Sequence, residues 1–240
     1  MIPGIVEQAV AGTPGPVTDP YWANVEFLSG FEGADGSTSF LDESSLGKSI
    51  VAVGNAQLDT GIPLAGSSSL LLDGSGDYAR VDDTAWDISN TDFTFEALIR
   101  LNAAKTTQAI ASKRPSSGGG TEFWFYINNS NELAAQFLAG SVSRLNLSSG
   151  AVLSFALDTT YHVALTRSGD ICRAFLDGIK VAEGTLSAEP GMGSNPLIIG
   201  RDPFNTSRDF NGWIDEVRVT KSVARYTGDF TVPDFPLPRG

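Results

Sequence analysis

The sequence predicts an all-β fold, two antiparallel sheets packed face to face. Three observations carry this. Short apolar runs alternate with polar residues at period two, bounded by Gly, Asp, Asn and Ser. No stretch of roughly 10–15 residues shows a helical period, which argues against strands joined by crossover helices. The composition is 41% apolar but only 18% charged, with 26 glycines, the balance of a turn-rich β protein. At 240 residues the chain is long enough for one large β-sandwich or two small domains.

Residues 1–22 stand apart. Pro3, Pro14, Pro16 and Pro20 deny them a helix or a central strand. Yet Ile2, Ile5, Val6, Val10, Tyr21 and Trp22 make the segment too apolar for a solvated tail. It is read as an extended N-terminal arm, either strapped onto its own domain or docked on another subunit through those six residues. The domain proper is then 23–240.

Strands are expected at 25–31, 50–53 and 56–58, the last two separated by Gly54-Asn55. Residues 70–72 run into the turn Asp73-Gly74-Ser75-Gly76 and on to a strand at 78–81, a pattern that predicts a hairpin because Gly and Asp tolerate positive φ. In 93–101, Phe93, Phe95, Ala97, Ile99 and Leu101 share one face, with Glu96 and Arg100 on the other. Residues 123–127 and 133–138 flank a connection at 128–131, and 142–147 follows Ala139-Gly140. A three-stranded meander over 161–184 turns at Ser168-Gly169-Asp170 and Asp177-Gly178. Strands at 197–200 and 213–220 complete the set, the latter half-buried with one irregularity. Pro233, Pro236 and Pro238 keep the tail out of any central strand.

Net charge is −12, so neither a phosphate backbone nor an anionic membrane is an expected partner. No run approaches ~18 consecutive apolar residues, so no membrane-spanning helix is expected. The first basic residue is Lys48, and the N-terminus lacks the basic n-region of a secretion signal. Assembly into a particle inside a cell is a route that needs none. Cys172 is the single cysteine; between Ile171 and Phe175 it is read as a buried structural thiol.

Four blocks occur in order: Leu-Leu-Leu-Asp-Gly-Ser-Gly-Asp-Tyr-Ala-Arg-Val at 70–81, Phe-Thr-Phe-Glu-Ala-Leu-Ile-Arg at 93–100, Tyr-His-Val-Ala-Leu-Thr-Arg with Phe-Leu-Asp-Gly within 161–178, and Phe-Asn-Gly-Trp-Ile-Asp-Glu-Val-Arg-Val at 210–219. Together they resemble the laminin-G-like subgroup of the concanavalin A-like lectin/glucanase superfamily. The resemblance covers about residues 25–230 and implies a two-sheet jelly roll. Residues 25–37 and Gly54-Asn55-Ala56-Gln57 look like versions common in virion proteins of tailed bacteriophages.

Because that superfamily includes glucanases, catalysis is tested first. Retaining glycosidases need two carboxylates about 5–5.5 Å apart, which on one strand means alternate acidic residues. No such motif exists, and Asp215-Glu216 are adjacent and point to opposite faces. His162, the only histidine, is read as structural. Gly118-Gly119-Gly120 lacks the Lys-Ser/Thr of a phosphate loop. No catalytic residue is assigned. Asp35, Asp73, Asp77 and Asp215 are oxygen donors at turns or strand ends, either capping turns or holding calcium, though 73–77 does not complete an EF-hand loop. A glycan site needs aromatic platforms with polar partners. Trp124 and Tyr126 share a strand face, which is read as core, leaving Trp86, Phe204 and Asn205 as glycan candidates.

The function expected is a non-enzymatic virion structural protein of a tailed phage, a capsid decoration or tail-associated module on the particle surface. Its arm would dock on capsid or tail subunits, and homo-oligomers are expected. Residues 1–47 hold seven acidic and no basic residues, so the partner face should be basic. The alternative is a lectin or host-adhesion module binding surface glycans.

Overall fold

A computed structural model describes residues 18–82, 88, 90–104, 106–116, 122–140, 142–150, 154–189 and 195–240. Fifteen strands among them form two antiparallel sheets. One sheet has the order β13 (Ile179–Thr185), β12 (Ile171–Leu176), β11 (Thr160–Ser168), β6 (Phe93–Leu101), β15 (Asn211–Lys221), β4 (Ser69–Asp73), β3 (Gln57–Asp59), with β1 (Val25–Ser29) also on β15. The other has the order β10 (Val142–Ser148), β9 (Leu133–Ala139), β8 (Glu122–Ile127), β7 (Gln108–Lys113), β14 (Leu197–Ile199), β5 (Tyr78–Val81), β2 (Ile50–Val53). The jelly-roll sandwich expected from the sequence is what forms. One continuous core lies between the sheets, where Phe93, Phe95, Phe123, Phe125 and Phe137 interlock edge-on or tilted.

The meander forms as expected, with β11, β12 and β13 pairing in sequence. Its Asp177-Gly178 turn needs glycine twice over. Gly178 has φ +80°, and a Cβ there would lie 2.1 Å from the Phe230 carbonyl oxygen.

The expected hairpin over 70–81 does not form. β4 pairs with β15 and β3, whereas β5 pairs with β14 and β2, so the turn carries the chain from one sheet to the other. Gly54-Asn55 makes a second such crossing between β2 and β3. The two crossings are bonded together: Asn55 N–H donates to Asp77 Oδ1 (2.6 Å) and Asp73 N–H to Asp77 Oδ2 (3.1 Å). Leu70 and Leu72 bury from one sheet, Ala79 and Val81 from the other. Strands whose apolar faces must meet across the core cannot also pair edge to edge.

β7 is an additional strand, with a sequence of low β propensity, Gln-Ala-Ile-Ala-Ser-Lys, and every residue buried. β15 is buried along nearly its whole length rather than on one face. Its irregularity is a bulge between Asp215 and Arg218, with Glu216 at φ +48°. The outer face of the eight-stranded sheet is buried because residues 222–240 lie across it. Thr94 and Thr166 hydroxyls donate to the Val223 and Tyr226 carbonyls, and Leu237 N–H donates to Glu216. Tyr226 stacks on Phe230, ring centroids 3.5 Å apart. Under this cover sit Glu96, Arg218, His162 and Asp19.

The described end of the arm joins that cover. Asp19 accepts from Arg218 (3.0 Å) and twice from Arg225 (2.9 and 2.6 Å). Trp22 begins a 3-10 turn and packs on Val25, Leu28 and Leu237 of its own domain, while Tyr21, 42% exposed, lies beneath the Arg225 guanidinium. Ile2, Ile5, Val6 and Val10 lie outside the described residues.

Candidate functional site

Among the described residues, no segment covers the seven-stranded sheet in this way. Period two sends Phe123, Phe125 and Ile127 of β8 into the core and Trp124 and Tyr126 outward. The core reading of that aromatic pair is therefore corrected. Within 123–127 both alternating rows carry large aromatic side chains, so periodicity pairs the rows without saying which faces in. Trp124 is only 5% exposed, yet its cover comes from surface loops.

The register builds the floor. Tyr126 stands opposite Ala134 of β9, and Ala134 opposite Ser148 of β10; Trp124, Gln136 and Asn146 form the next row. Ala134 is small, so a trough opens beside the Tyr126 ring. The β6–β7 loop supplies Thr106 and Thr107 as one wall, and the 3-10 turn Thr206–Arg208 supplies another. The resulting groove has a volume of about 550 Å³, within the usual range for ligand sites.

The Gly200–Phe210 loop is pinned by Asp202, which is fully buried. Its carboxylate accepts from Phe204 N–H (3.0 Å), Arg114 Nη1 (3.2 Å) and Arg208 Nη1 (2.8 Å). Both guanidiniums lie over Trp124, with Cζ 5.2 and 4.6 Å from the ring centroid, and Arg114 also lies over Phe204 at 4.9 Å. Trp124 and Tyr126 are themselves stacked at 3.5 Å and 9°. Arginine, tryptophan and tyrosine thus form one layered column, and Tyr126 is its half-buried end, lining the groove. Burial pushes the Tyr126 hydroxyl above its usual range, against the pull of Arg208 and Arg114, so it is a neutral phenol at pH 7.

The polar groups divide into two kinds. Asn128 is spent on its own turn, accepting from Ser130 and Glu132 N–H and donating to Glu132 and Ser148. Asn205 accepts from Ser207 N–H and hydroxyl to cap the 3-10 turn. The side-chain amides of Asn129 and Asn146, both exposed, have no hydrogen-bond partner among the described residues. None of the described lining residues is Asp or Glu, and Arg208 is the charged one.

Of the sequence candidates, Asn205 lines this groove and Phe204 (47% exposed) lies beside it under the Arg114 guanidinium; Trp86 lies outside the described residues. Trp124, Tyr126, Asn129, Asn146 and Arg208 were not singled out as ligand contacts. The readable signal was that Trp and Tyr carry polar atoms, whereas Phe, Phe and Ile do not.

The four aspartates do not converge. Asp35 accepts from Thr60 in one exposed turn, Asp73 and Asp77 serve the crossing, and Asp215 is buried on Ser69 Oγ, Ala65 N–H and Glu216 N–H. Among the described residues no three His, Cys, Asp or Glu side chains group as metal ligands do. His162 Nε2 is 3.1 Å from Glu96 beneath the C-terminal cover, away from the groove. Cys172 is buried, which pushes its thiol up to about 12.

The profile of the concanavalin A-like lectin/glucanases superfamily matches residues 73–225. No protein with a curated description matches the sequence. Among solved structures, the binding domain of Paraclostridial Mosquitocidal Protein 1 aligns over 85% of this chain and 50% of that one, at 13% identity and TM-score 0.67. Domain 4 of AbnA, a GH43 extracellular arabinanase from Geobacillus stearothermophilus solved with arabinotriose, aligns over 84% and 94%, at 14% and 0.62. A Trypanosoma rangeli sialidase aligns over 82% and 31%, at 17% and 0.55. This chain thus spans about half the length of the mosquitocidal domain and less of the sialidase. At these identities the likeness establishes the fold, a binding-domain type that also occurs within glycosidases.

Proposed function

The chain belongs to the concanavalin A-like lectin/glucanase superfamily, and from that premise we propose that it is a non-enzymatic carbohydrate-binding module whose ligand lies in the groove over Tyr126. The observation that carries this is the column Arg208–Trp124–Tyr126. It holds an aromatic face in a fixed plane beside the unpartnered amides of Asn129 and Asn146. A pyranose presents an apolar C–H face and a ring of hydroxyls, which such a surface matches. The lining without carboxylates supports binding without hydrolysis. The arabinotriose on domain 4 of AbnA shows that a sandwich of this shape can carry a sugar.

A glycan array probed with the whole chain tests this. Hits are expected, and Tyr126→Ala should weaken each at least tenfold, about 1.4 kcal/mol, without lowering the melting temperature by more than a few degrees. An array without hits, or hits indifferent to Tyr126→Ala, would overturn the reading.

A second reading concerns residues 1–22, with a virion as the setting and capsid or tail subunits as partners. Asp19 is tied to the outer face of the eight-stranded sheet, opposite the groove. A module attached through its arm would therefore present the groove outward. Removing 1–17 spares Asp19 and Trp22 and should leave melting and glycan binding unchanged while abolishing copurification with particles. Normal decoration by the truncated chain would rule the arm out as the attachment.

A further inference from the structure

We propose that the sugar bound in this groove carries a carboxylate, seated on the Nε–Nη2 edge of Arg208. The inference rests on the carbohydrate-binding reading and adds the class of ligand.

Several buried or half-buried guanidiniums of the fold meet carboxylates through two nitrogens. Arg218 grips Glu96 through Nε and Nη2, Arg225 grips Asp19 through Nη1 and Nη2, and Arg167 grips Glu189 in the same way. Arg208 differs. It meets Asp202 through Nη1 alone (2.8 Å), and its Nε and Nη2 have no hydrogen-bond partner among the described residues. Its side chain is 29% exposed and lines the groove. That free edge has the two parallel donors that match a carboxylate side-on.

The edge is also held in place. Asp202 is fully buried and fixes one nitrogen, while the Trp124 ring lies under Cζ at 4.6 Å. A guanidinium over an aromatic ring leaves its in-plane donors available, so the cation–π contact and a carboxylate do not compete. The loss of side-chain entropy on binding is correspondingly small. Tyr126 stacks on Trp124, and Tyr126 and Arg208 both line the groove, so a sugar ring against Tyr126 and its carboxylate at Arg208 lie within one groove. The chain as a whole is at −12, which makes a lone cation among otherwise uncharged lining residues a selective feature rather than a sample of the surface.

The test is an array of uronate-bearing and sialylated oligosaccharides, each printed beside its carboxyl-reduced counterpart, which keeps the sugar and removes the charge. Carboxylated members should bind at least tenfold more tightly than their reduced partners, and the gap should narrow as NaCl is raised. Arg208→Gln should level each pair, and Arg208→Lys, which keeps the charge without the forked edge, should restore part of the gap. Reduced partners binding as well as the acids, or a gap that survives Arg208→Gln, would overturn the acidic-sugar proposal. Neutral hits that are lost in Tyr126→Ala but unmoved by Arg208→Gln would leave the carbohydrate reading standing. Silence from acids and neutral sugars alike would take both down. The salt response of the unmutated chain reads the same charge contact without any variant.

Discussion

Replacing Glu96 with alanine should destabilise the fold by about 3–5 kcal/mol, the usual effect of removing one partner from a buried ion pair. Glu96 is fully buried on the outer face of β6. Its Oε1 accepts from Arg218 Nε and Nη2 at 2.9 and 2.8 Å; its Oε2 accepts from the Tyr226 hydroxyl at 2.9 Å and lies 3.1 Å from His162 Nε2. Alanine leaves Arg218 with Asp19 alone, and the Tyr226 hydroxyl without its acceptor. Urea denaturation at pH 7 reads the effect. Glu96→Gln should be milder, since it keeps the shape and an acceptor.

The same group sets an acid limit. Burial by itself would raise the Glu96 carboxyl, but the Arg218 charge, then His162 and Arg225, outweigh it and hold it at about 2 instead of 4.5. A carboxylate depressed in the folded state stabilises above its unfolded value, and that contribution fades as pH falls from 4.5 towards 2. The loss amounts to roughly 3 kcal/mol at about 1.4 kcal/mol per pH unit. Asp19 is also held below its usual range: burial opposes the shift, and Arg225 and Arg218 prevail. Its contribution has the same sign. Glu96→Ala should therefore flatten the stability curve between pH 4.5 and 2 relative to the unmutated chain. Parallel curves would mean that another group governs acid unfolding.

Glu96 also marks what the sequence could and could not disclose. Period two placed it and Arg100 on the face of β6 away from the core, correctly. It could not disclose that residues 222–240 return to cover that face, because the cover is made by contacts more than a hundred residues apart, such as Tyr226 with Glu96. The meander was legible because each turn joins neighbours in the chain, so local chemistry decides the pairing. The crossing at 73–77 has the same Gly and Asp chemistry and gives the opposite result, since the choice between hairpin and crossing depends on where β15 and β14 lie. β7 escaped because its alanines, glutamine and lysine are buried by neighbours on both sides, not by their own hydrophobicity. At the site, Phe204 and Asn205 were legible as an apolar-polar pair in a loop. Arg208 was not, for its meaning comes from Trp124, some eighty residues earlier, and from the buried Asp202.

Asp202→Ala should damage stability and binding together, unlike any other change in the groove. The carboxylate holds three donors from two segments: Arg114 at the end of β7, Arg208 in the 3-10 turn, and the Phe204 backbone. Without it two guanidiniums remain close together over Trp124, repelling each other in a partly dry setting, and the Phe204 N–H loses its acceptor. A loss of about 3 kcal/mol is expected from the buried pair, read as a lower urea midpoint with an unchanged slope. Glycan binding should fall at least as far as in Tyr126→Ala, because the wall formed by residues 206–208 is no longer anchored and the Trp124–Tyr126 plane loses its clamp. Asp202→Asn separates the two roles. Its amide oxygen can still accept from Phe204 N–H and keep the turn, but it cannot neutralise a guanidinium. It should bind better than Asp202→Ala and melt below the unmutated chain. Phe204→Ala, which removes only an exposed ring over Arg114, should change stability by less than about 1 kcal/mol. If Asp202→Ala melts normally and still binds, Asp202 is not what holds the groove together, and the layered column over β8 must be rigid without it.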